Sequence, residues 1–220
     1  MSTVFRLDSS IRNEGSITRS IASTLEAALV EELDDATVIR REIGLTPLPS
    51  NAWALSASTR LVPVDEQSPE QKQAVALSRE LGDELEKSDA YIFATPFYNF
   101  GVSQHVKTWV DLLITDPRFA PGAHTIAGRP AFVIIARGGG YGPGTPREGW
   151  DHATGWLTRV FADVWGLDMH VIESELTLAD VTPAMAELRG MAADNLRKAH
   201  SAAIEHGKSL ANRLSDSEAA

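Results

Sequence analysis

The chain has 220 residues, 43% of them hydrophobic, and a formal charge of −10, which is an ordinary composition for a globular protein. This acidic balance disfavours nucleic acids and anionic membranes as partners, because both carry negative charge. The chain has no cysteine, which excludes disulfides, thiolate metal sites, iron–sulfur clusters and a cysteine nucleophile. We therefore expect a cytoplasmic protein with neither a nucleic-acid nor a membrane partner.

Short predicted strands alternate with predicted helices along the chain. The first helix is predicted from apolar residues that recur at helical spacing, and the second from a capping box formed by Ser68 and Gln71. Residues 215–220 are expected to fray. In chain order the predicted elements are strand 3–7, helix 17–32, strand 37–41, an irregular stretch over 42–67, helix 69–87, strand 90–95, helix 103–114, strand 131–136, helix 147–165, strand 169–172 and a helical region over 183–214.

Five strands that alternate with helices predict an α/β fold with a parallel sheet and helices on both of its faces. We expect residues 1–220 to form a single domain. In an open parallel sheet, ligands bind beyond the carboxyl ends of the strands. The loops that follow the first, third and fourth predicted strands are therefore the expected site.

The loop after the first strand, residues 9–18 (loop one), is rich in hydroxyl groups. Ser9, Ser10, Ser16 and Thr18 surround the start of the first helix, where unpaired N–H groups and the helix dipole favour a phosphate. The alternative is that Ser16 merely caps the helix. The loop lacks the Gly-Lys-Ser/Thr ending of a P-loop, and no G-x-G-x-x-G motif follows the strand, which argues against a dinucleotide bound in the Rossmann manner.

The loop after the third strand, residues 96–101 (loop two), contains three aromatic residues and one amide. Phe97, Tyr98, Asn99 and Phe100 can offer apolar faces and polar edges to a flat ligand such as an isoalloxazine ring. The alternative is that these aromatic side chains belong only to the core.

The loop after the fourth strand, residues 137–144 (loop three), is rich in glycine. Glycines allow the backbone to approach a ligand closely, so that its N–H groups can stabilise a negatively charged ring edge. The alternative is a mobile surface loop.

Other patterns for catalysis are missing from the sequence. The six histidines form no recognisable metal-binding pattern, and no serine-nucleophile motif occurs. We therefore predict no metal and no catalytic side chain of the protein's own.

Together the three loops resemble the family of FMN-dependent NADH:quinone oxidoreductases and azoreductases, a homodimeric branch of the flavodoxin-like proteins. The resemblance extends over about residues 4–195. It implies a three-layer flavodoxin-like sandwich with the sheet order 2-1-3-4-5. The residues that carry it are Ser9-Ser10, Ser16-Ile17-Thr18, Pro96-Phe97-Tyr98-Asn99-Phe100 and Arg137-Gly138-Gly139.

The resemblance also implies roles for individual residues. The FMN phosphate would be held by Ser9, Ser16, Ile17 and Thr18. The isoalloxazine ring would lie against Pro96, Phe97, Tyr98, Asn99 and Phe100, with Asn99 near its N5 edge, and against Ala136, Arg137, Gly138 and Gly139 on the pyrimidine side. Phe119 of a second subunit is the candidate to close the substrate pocket, together with Trp53 and Trp165, and Tyr141 is a further substrate-pocket candidate.

The implied function is a ping-pong transfer of two electrons from NADH or NADPH, through N5 of FMN, to a quinone or an azo compound. The implied assembly is a homodimer with the flavin near its interface. The chain departs from the family pattern at Ala136, which replaces a serine, at Phe97, which replaces a methionine, and over residues 141–150. The sequence therefore does not identify the electron acceptor. Two alternative functions are a non-catalytic electron carrier of the flavodoxin type and a flavin-free scaffold.

Overall fold

A computed structural model describes residues 2–33 and 35–219, with side chains up to residue 216. Helices and strands alternate along this part of the chain. The strands are β1 (Thr3–Asp8), β2 (Thr37–Glu42), β3 (Ala90–Tyr98), β4 (Gly101–Val102), β5 (Pro130–Ala136) and β6 (Asp168–Ser174). The α-helices are α1 (Ile17–Glu32), α2 (Ala52–Ser58), α3 (Pro69–Glu86), α4 (Gln104–Leu113), α5 (Thr154–Thr158) and α6 (Arg189–Ala219).

Five parallel strands form the sheet in the order β2-β1-β3-β5-β6, which confirms the predicted order of the five predicted strands. The two-residue strand β4 was not predicted, and it pairs with the end of β3 in the antiparallel sense. In the register of the sheet, Asp8 of β1 lies opposite Ala94, and Pro96 of β3 lies opposite Ala136. The loops after β1, β3 and β5 therefore leave the sheet at one edge.

The core lies on both faces of the sheet. On one face an aromatic cluster joins the strands to α4 and to the segment after α5, with Phe93 and Phe161 stacked at 4.4 Å between ring centroids. On the other face α1 and α6 pack together and bury apolar side chains such as Leu25 and Leu210 against the strands. Each such buried side chain contributes about 1.5–3 kcal/mol, so the edge that carries the loops rests on a rigid base.

Helix starts follow local sequence signals. Both predicted bonds of the capping box are present at α3, where the Ser68 hydroxyl accepts the N–H of Gln71 and the Gln71 side chain accepts the N–H of Ser68. Ser16 caps α1 by accepting the N–H of Arg19.

Two segments differ from the prediction. The irregular stretch 42–67 contains the short helix α2. The predicted helix over 147–165 begins only at Thr154, and Gly149 within it adopts a positive φ angle of 79°, which a right-handed helix cannot contain. Residues 159–164 continue α5 as a π-helical turn. Helix α6 continues to Ala219, residue 220 lies outside the described residues, and the fraying of 215–220 stays a prediction.

The helices that the structure describes are each too short or too polar to cross a membrane.

Candidate functional site

Loops one, two and three meet in a single cleft of about 290 Å³ at the carboxyl edge of the sheet. Two residues after β6 complete its wall. We call residues 10–18 the loop-one end of the cleft and residues 138–147 the loop-three end. The lining residues are Ser10, Arg12, Gly15, Ser16, Ile17, Thr18, Pro96, Phe97, Tyr98, Asn99, Phe100, Ala136, Gly138, Gly139, Tyr141, Arg147, Thr177 and Leu178.

The loop-one end surrounds the N-terminus of α1. The hydroxyls of Ser16 and Thr18 lie 3.4 Å apart, and the Ser10 hydroxyl lies 3.3 Å from the Tyr98 hydroxyl. No acidic residue occupies the first turn of α1, so its N–H groups and dipole offer positive partial charge to the cleft. Ser16 caps the helix and also lines the cleft, so the two interpretations of this residue are compatible.

Arg12 adds a full positive charge to this end. Its backbone N–H donates to the Ser10 hydroxyl at 3.2 Å, while its guanidinium makes no ion pair or hydrogen bond within residues 2–33 and 35–216. An anion in the cleft could therefore bind the Arg12 guanidinium without breaking an existing ion pair.

A network of buried charges supports loop one from below. Arg19 donates to the carbonyl oxygens of Ser10 at 2.8 Å and Arg12 at 3.2 Å, and it pairs with Glu42 at the end of β2. The hydrogen bond to Glu42 and the charges of Glu42 and Asp8 raise the pKa of Arg19 above its ordinary value. Burial alone would raise the pKa of Glu42, but the hydrogen bonds that this carboxylate accepts from Arg19 and from backbone N–H groups outweigh it and lower that pKa. Loop one is therefore clamped to β2 through charged hydrogen bonds.

Gly44, which follows β2, allows loop one to lie directly against it. A Cβ atom at this position would lie 2.1 Å from the carbonyl oxygen of Ser10 and 2.7 Å from the carbonyl carbon of Ser9. Both contacts are with backbone atoms, so a side chain here would displace the loop itself.

Loop two is a tight hairpin between β3 and β4. Asn99 and Phe100 occupy its two central positions with φ angles of 48° and 68°, which is typical of a type I′ turn. Non-glycine residues in this region cost about 1–2 kcal/mol each. The turn places Asn99 in the cleft, and its side-chain amide has no hydrogen-bond partner in the described part of the chain. Phe97 both lines the cleft and packs into the core, so each of the two interpretations of the loop-two aromatics is correct for this side chain.

Loop three is held in place by the residues after β6. The carbonyl oxygens of Arg137, Gly138 and Gly139 accept N–H groups of residues 176–178 at 3.1–3.2 Å. These bonds contradict the alternative of a mobile surface loop for residues 137–139. Gly138 and Gly139 line the cleft, and the side chains of Leu178 and Arg147 lie 2.7 and 2.5 Å from the points where their Cβ atoms would stand.

Two predicted FMN contacts lie outside the cleft. Ser9 is fully buried, and its hydroxyl donates to the carbonyl oxygen of Ala94 at 2.9 Å. The side chain of Arg137 turns away from the cleft and bonds to Asp151 and Glu173 at 2.7 Å. Burial alone would lower the pKa of Arg137, but these two carboxylates raise it. Both assignments are corrected, because each side chain already has its partners beneath the loops.

Two of the three predicted pocket-closing aromatics lie in the core. Phe119 and Trp165 are each 1% exposed, pack edge to face at 5.9 Å, and share a hydrogen bond from the Trp165 indole to the Phe119 carbonyl. They present no surface to a second subunit. Trp53 is half exposed on α2, and its role in closing the pocket of a second subunit stays a prediction. Tyr141, the further substrate-pocket candidate, lines the cleft.

The sequence prediction omitted several lining residues. Arg12 and Arg147 are cations in loops of an acidic chain, and this local excess of positive charge is a signal that could have identified them. Thr177 and Leu178 follow the last strand and carry no comparable signal. Gly15 in loop one is the remaining omission, whereas Ser10 was named among the loop-one hydroxyls.

The comparisons with known proteins agree with this arrangement. Residues 2–195 match a family model described as "Flavodoxin-like fold". A protein of Frankia casuarinae named FMN-dependent NADH:quinone oxidoreductase is 38% identical over 190 residues, which cover 85% of this chain and 90% of that protein. A protein of Streptomyces coelicolor with the same name is 35% identical over 97% of each chain.

Solved structures show the same fold. An FMN-dependent NADH-azoreductase from Bacillus anthracis, solved in complex with FMN, superimposes with a TM-score of 0.73 at 16% identity and covers 96% of this chain and 100% of its own. The chain therefore belongs to the flavodoxin-like fold family and, within it, to the branch that contains the FMN-dependent NADH:quinone oxidoreductases.

Proposed function

We propose that this protein is an FMN-dependent oxidoreductase that passes two electrons from NADH or NADPH to a quinone or an azo compound. The observation that carries the proposal is the single cleft that loops one, two and three form, with an anion-binding end and an end suited to a flat ring. Relatives named FMN-dependent NADH:quinone oxidoreductase support the choice of cofactor and reaction.

The loop-one end matches a phosphate group. The hydroxyls of Ser16 and Thr18, the N–H groups at the start of α1 and the guanidinium of Arg12 are all donors, and none of the described residues that line the cleft carries a carboxylate. An anion here would gain about 1.5–3 kcal/mol from each charged hydrogen bond. Ser10 stays near this end through its contact with Tyr98.

The loop-three end and loop two match an isoalloxazine ring. Gly138 and Gly139 line the cleft without a side chain of their own, and Asn99 offers to a polar ring edge an amide that has no hydrogen-bond partner in the described part of the chain. When bound, FMN supplies the two-electron chemistry at N5, so no protein nucleophile is required. Phe100 lines the cleft and contacts Trp150 edge to face at 5.7 Å.

The proposal includes a ping-pong order of substrates, a homodimer with the flavin near its interface and a cytoplasmic location. Apolar side chains beside the cleft support the dimer, since Phe100 is 42% and Trp150 52% exposed in the single chain. The absence of cysteine suits a reducing compartment. Light scattering during gel filtration would measure the mass in solution, which for a dimer is twice the 23.8 kDa of the chain.

A steady-state assay with FMN-loaded protein, NADH and 1,4-benzoquinone tests the function. The proposal predicts NADH oxidation that depends on both the acceptor and bound FMN, with parallel double-reciprocal plots. Protein that holds FMN but shows no acceptor-dependent oxidation of NADH or NADPH would contradict it.

A further inference from the structure

The cleft is positively charged although the chain as a whole is acidic. The chain has 30 acidic and 20 basic residues, yet the lining residues that the structure describes include two arginines and no aspartate or glutamate. Arg12 lies at the loop-one end, where the proposed function has a phosphate for it. Arg147 lies at the loop-three end, where that function assigns it no role.

The guanidinium of Arg147 is positioned but unpaired. It lies 5.9 Å from the centre of the Tyr141 ring, and its Nη1 atom is 2.5 Å from the point where a Cβ on Gly139 would stand. Its side chain is exposed and forms no ion pair or hydrogen bond with any side chain or backbone group that the structure describes. Five N–H donors thus face the ring end of the cleft without an acceptor.

Nearby carboxylates form no ion pair with this cation among the described residues, and their oxygens bond to other groups. Glu148 accepts the N–H of Gly144 at 2.8 Å. Glu175 accepts the N–H of Tyr141 at 3.0 Å and lies 3.6 Å from Arg137.

The support of Arg147 is well ordered by packing and hydrogen bonds. Tyr141 packs edge to face on Phe97 at 4.7 Å, and its backbone is held by Glu175. The carbonyl oxygen of Arg147 accepts the N–H of Trp150 at 3.1 Å, which closes a turn at this position. The charge therefore stands at a defined place beside the ring end.

We propose that Arg147 binds a negatively charged substituent of the electron acceptor, so that the enzyme prefers aromatic acceptors that carry a sulfonate or a carboxylate. This inference rests on the proposed function. The planar guanidinium of arginine matches such groups with two parallel hydrogen bonds. Arg147 adjoins Gly139, so a substituent on the reducible ring reaches it directly, whereas the 2′-phosphate of NADPH lies a nucleotide's length from the nicotinamide.

The test compares two acceptors, 1,2-naphthoquinone and 1,2-naphthoquinone-4-sulfonate, in the wild type and in Arg147→Gln. We expect kcat/KM for the sulfonate to fall about tenfold in the variant, because a charged hydrogen bond is lost, and kcat/KM for the neutral quinone to stay within about twofold. Arg147→Lys should retain part of the preference. Arg60→Gln is the matched control, since Arg60 is exposed, lies outside the cleft and changes the net charge equally.

A binding measurement gives a readout that does not depend on turnover. Naphthalene-2-sulfonate, which is not reduced, should perturb the visible spectrum of the FMN-loaded protein, and its dissociation constant should rise about tenfold in Arg147→Gln but not in Arg60→Gln. Added salt should weaken this binding in the wild type more than in Arg147→Gln.

The possible outcomes separate the two proposals. Equal losses of kcat/KM for both quinones in Arg147→Gln would overturn the inference. An unchanged ratio of the two kcat/KM values, combined with a higher KM for NADPH but not for NADH, would overturn it as well. FMN-loaded protein that reduces both quinones without a charge preference would overturn the inference alone. Protein that takes up no FMN would overturn the proposed function, and the inference with it.

Discussion

The two ends of the cleft use charge in opposite ways. Beneath the loop-one end, Arg6, Asp8, Arg19 and Glu42 pair with one another and with loop backbone, so that the loop is held before any ligand arrives. At the loop-three end, the guanidinium of Arg147 is exposed and forms no ion pair or hydrogen bond with any group in the described chain. Paired charges that hold a loop suit an invariant group such as a phosphate, whereas a cation without an ion pair suits a substituent that varies between substrates.

The largest effect on FMN binding is expected from a substitution at Gly44, which would displace the preorganised loop one. In Gly44→Ala the new Cβ would collide with the backbone of Ser9 and Ser10, and overpacking of this kind costs about 1–3 kcal/mol. We expect FMN affinity to fall about 10- to 100-fold and the melting temperature to fall. Fluorescence titration and thermal unfolding would measure both.

Gly190→Ala is the control, because nothing lies within 4 Å of the added Cβ and the residue lies in α6. That variant should bind FMN like the wild type. Wild-type affinity in Gly44→Ala would contradict the claim that loop one depends on this close approach.

The next effect is expected at Arg19. Arg19→Ala removes the bonds to the carbonyl oxygens of Ser10 and Arg12, so the phosphate loop loses its clamp. We expect the dissociation constant of FMN to rise about tenfold, while that of riboflavin, which has no phosphate, changes little.

Arg41→Ala is the control for Arg19, since Arg41 forms a comparable cluster with Glu80 and Glu84 but does not line the cleft. It should leave the affinity for FMN unchanged. A parallel loss of riboflavin binding in Arg19→Ala would show that the residue acts on the whole fold rather than on loop one.

A smaller effect is expected from pH. The folded protein lowers the pKa of Glu42 below its ordinary value of 4.5, so the stabilisation from this carboxylate is complete above about pH 4.5 and is lost as the pH falls through the lowered value. Glu42→Gln should therefore reduce the fall in melting temperature below pH 4.5. An identical pH profile in this variant would contradict the role of the Arg19–Glu42 pair.

The smallest effect is expected at Trp150, which lies just after the loop-three end in sequence. Trp150 is half exposed and contacts Phe100, so Trp150→Ala should lower the free energy of unfolding by only about 0.5–1.5 kcal/mol and leave FMN affinity within about threefold. Chemical denaturation and FMN titration would check this. A loss of FMN binding as large as that in Gly44→Ala would erase the difference between the two ends.

The sequence predicts those features that depend on local patterns. The capping box at Ser68 follows from local spacing, and the meeting of the three loops follows from the rule that ligands bind beyond the carboxyl ends of parallel strands. The order of the strands was implied by the family resemblance rather than by any local pattern. Gly149 prevents the first part of the predicted helix 147–165, residues 147–153. Its positive φ angle was not evident from the sequence, because glycine is also tolerated in helices.

Non-local contacts account for the other errors. The pairing of Arg137 with Asp151 and Glu173 joins residues far apart in sequence, so the side chain's direction could not be predicted. Phe119 and Trp165 are large apolar rings, which suit a core and a pocket equally well until their burial is known. Gly44 follows β2 whereas loop one follows β1, so their contact depends on how the two strands pair and could not be predicted from local sequence.

The central claim is that the three loops form one site for a phosphorylated flavin. A titration of the purified protein with FMN, followed by flavin fluorescence and repeated with riboflavin, tests it most directly. The account predicts saturation at one FMN per chain and binding of riboflavin weaker by about 100-fold or more, since several charged hydrogen bonds are lost. Equal affinity for the two flavins, or no uptake of FMN, would contradict it.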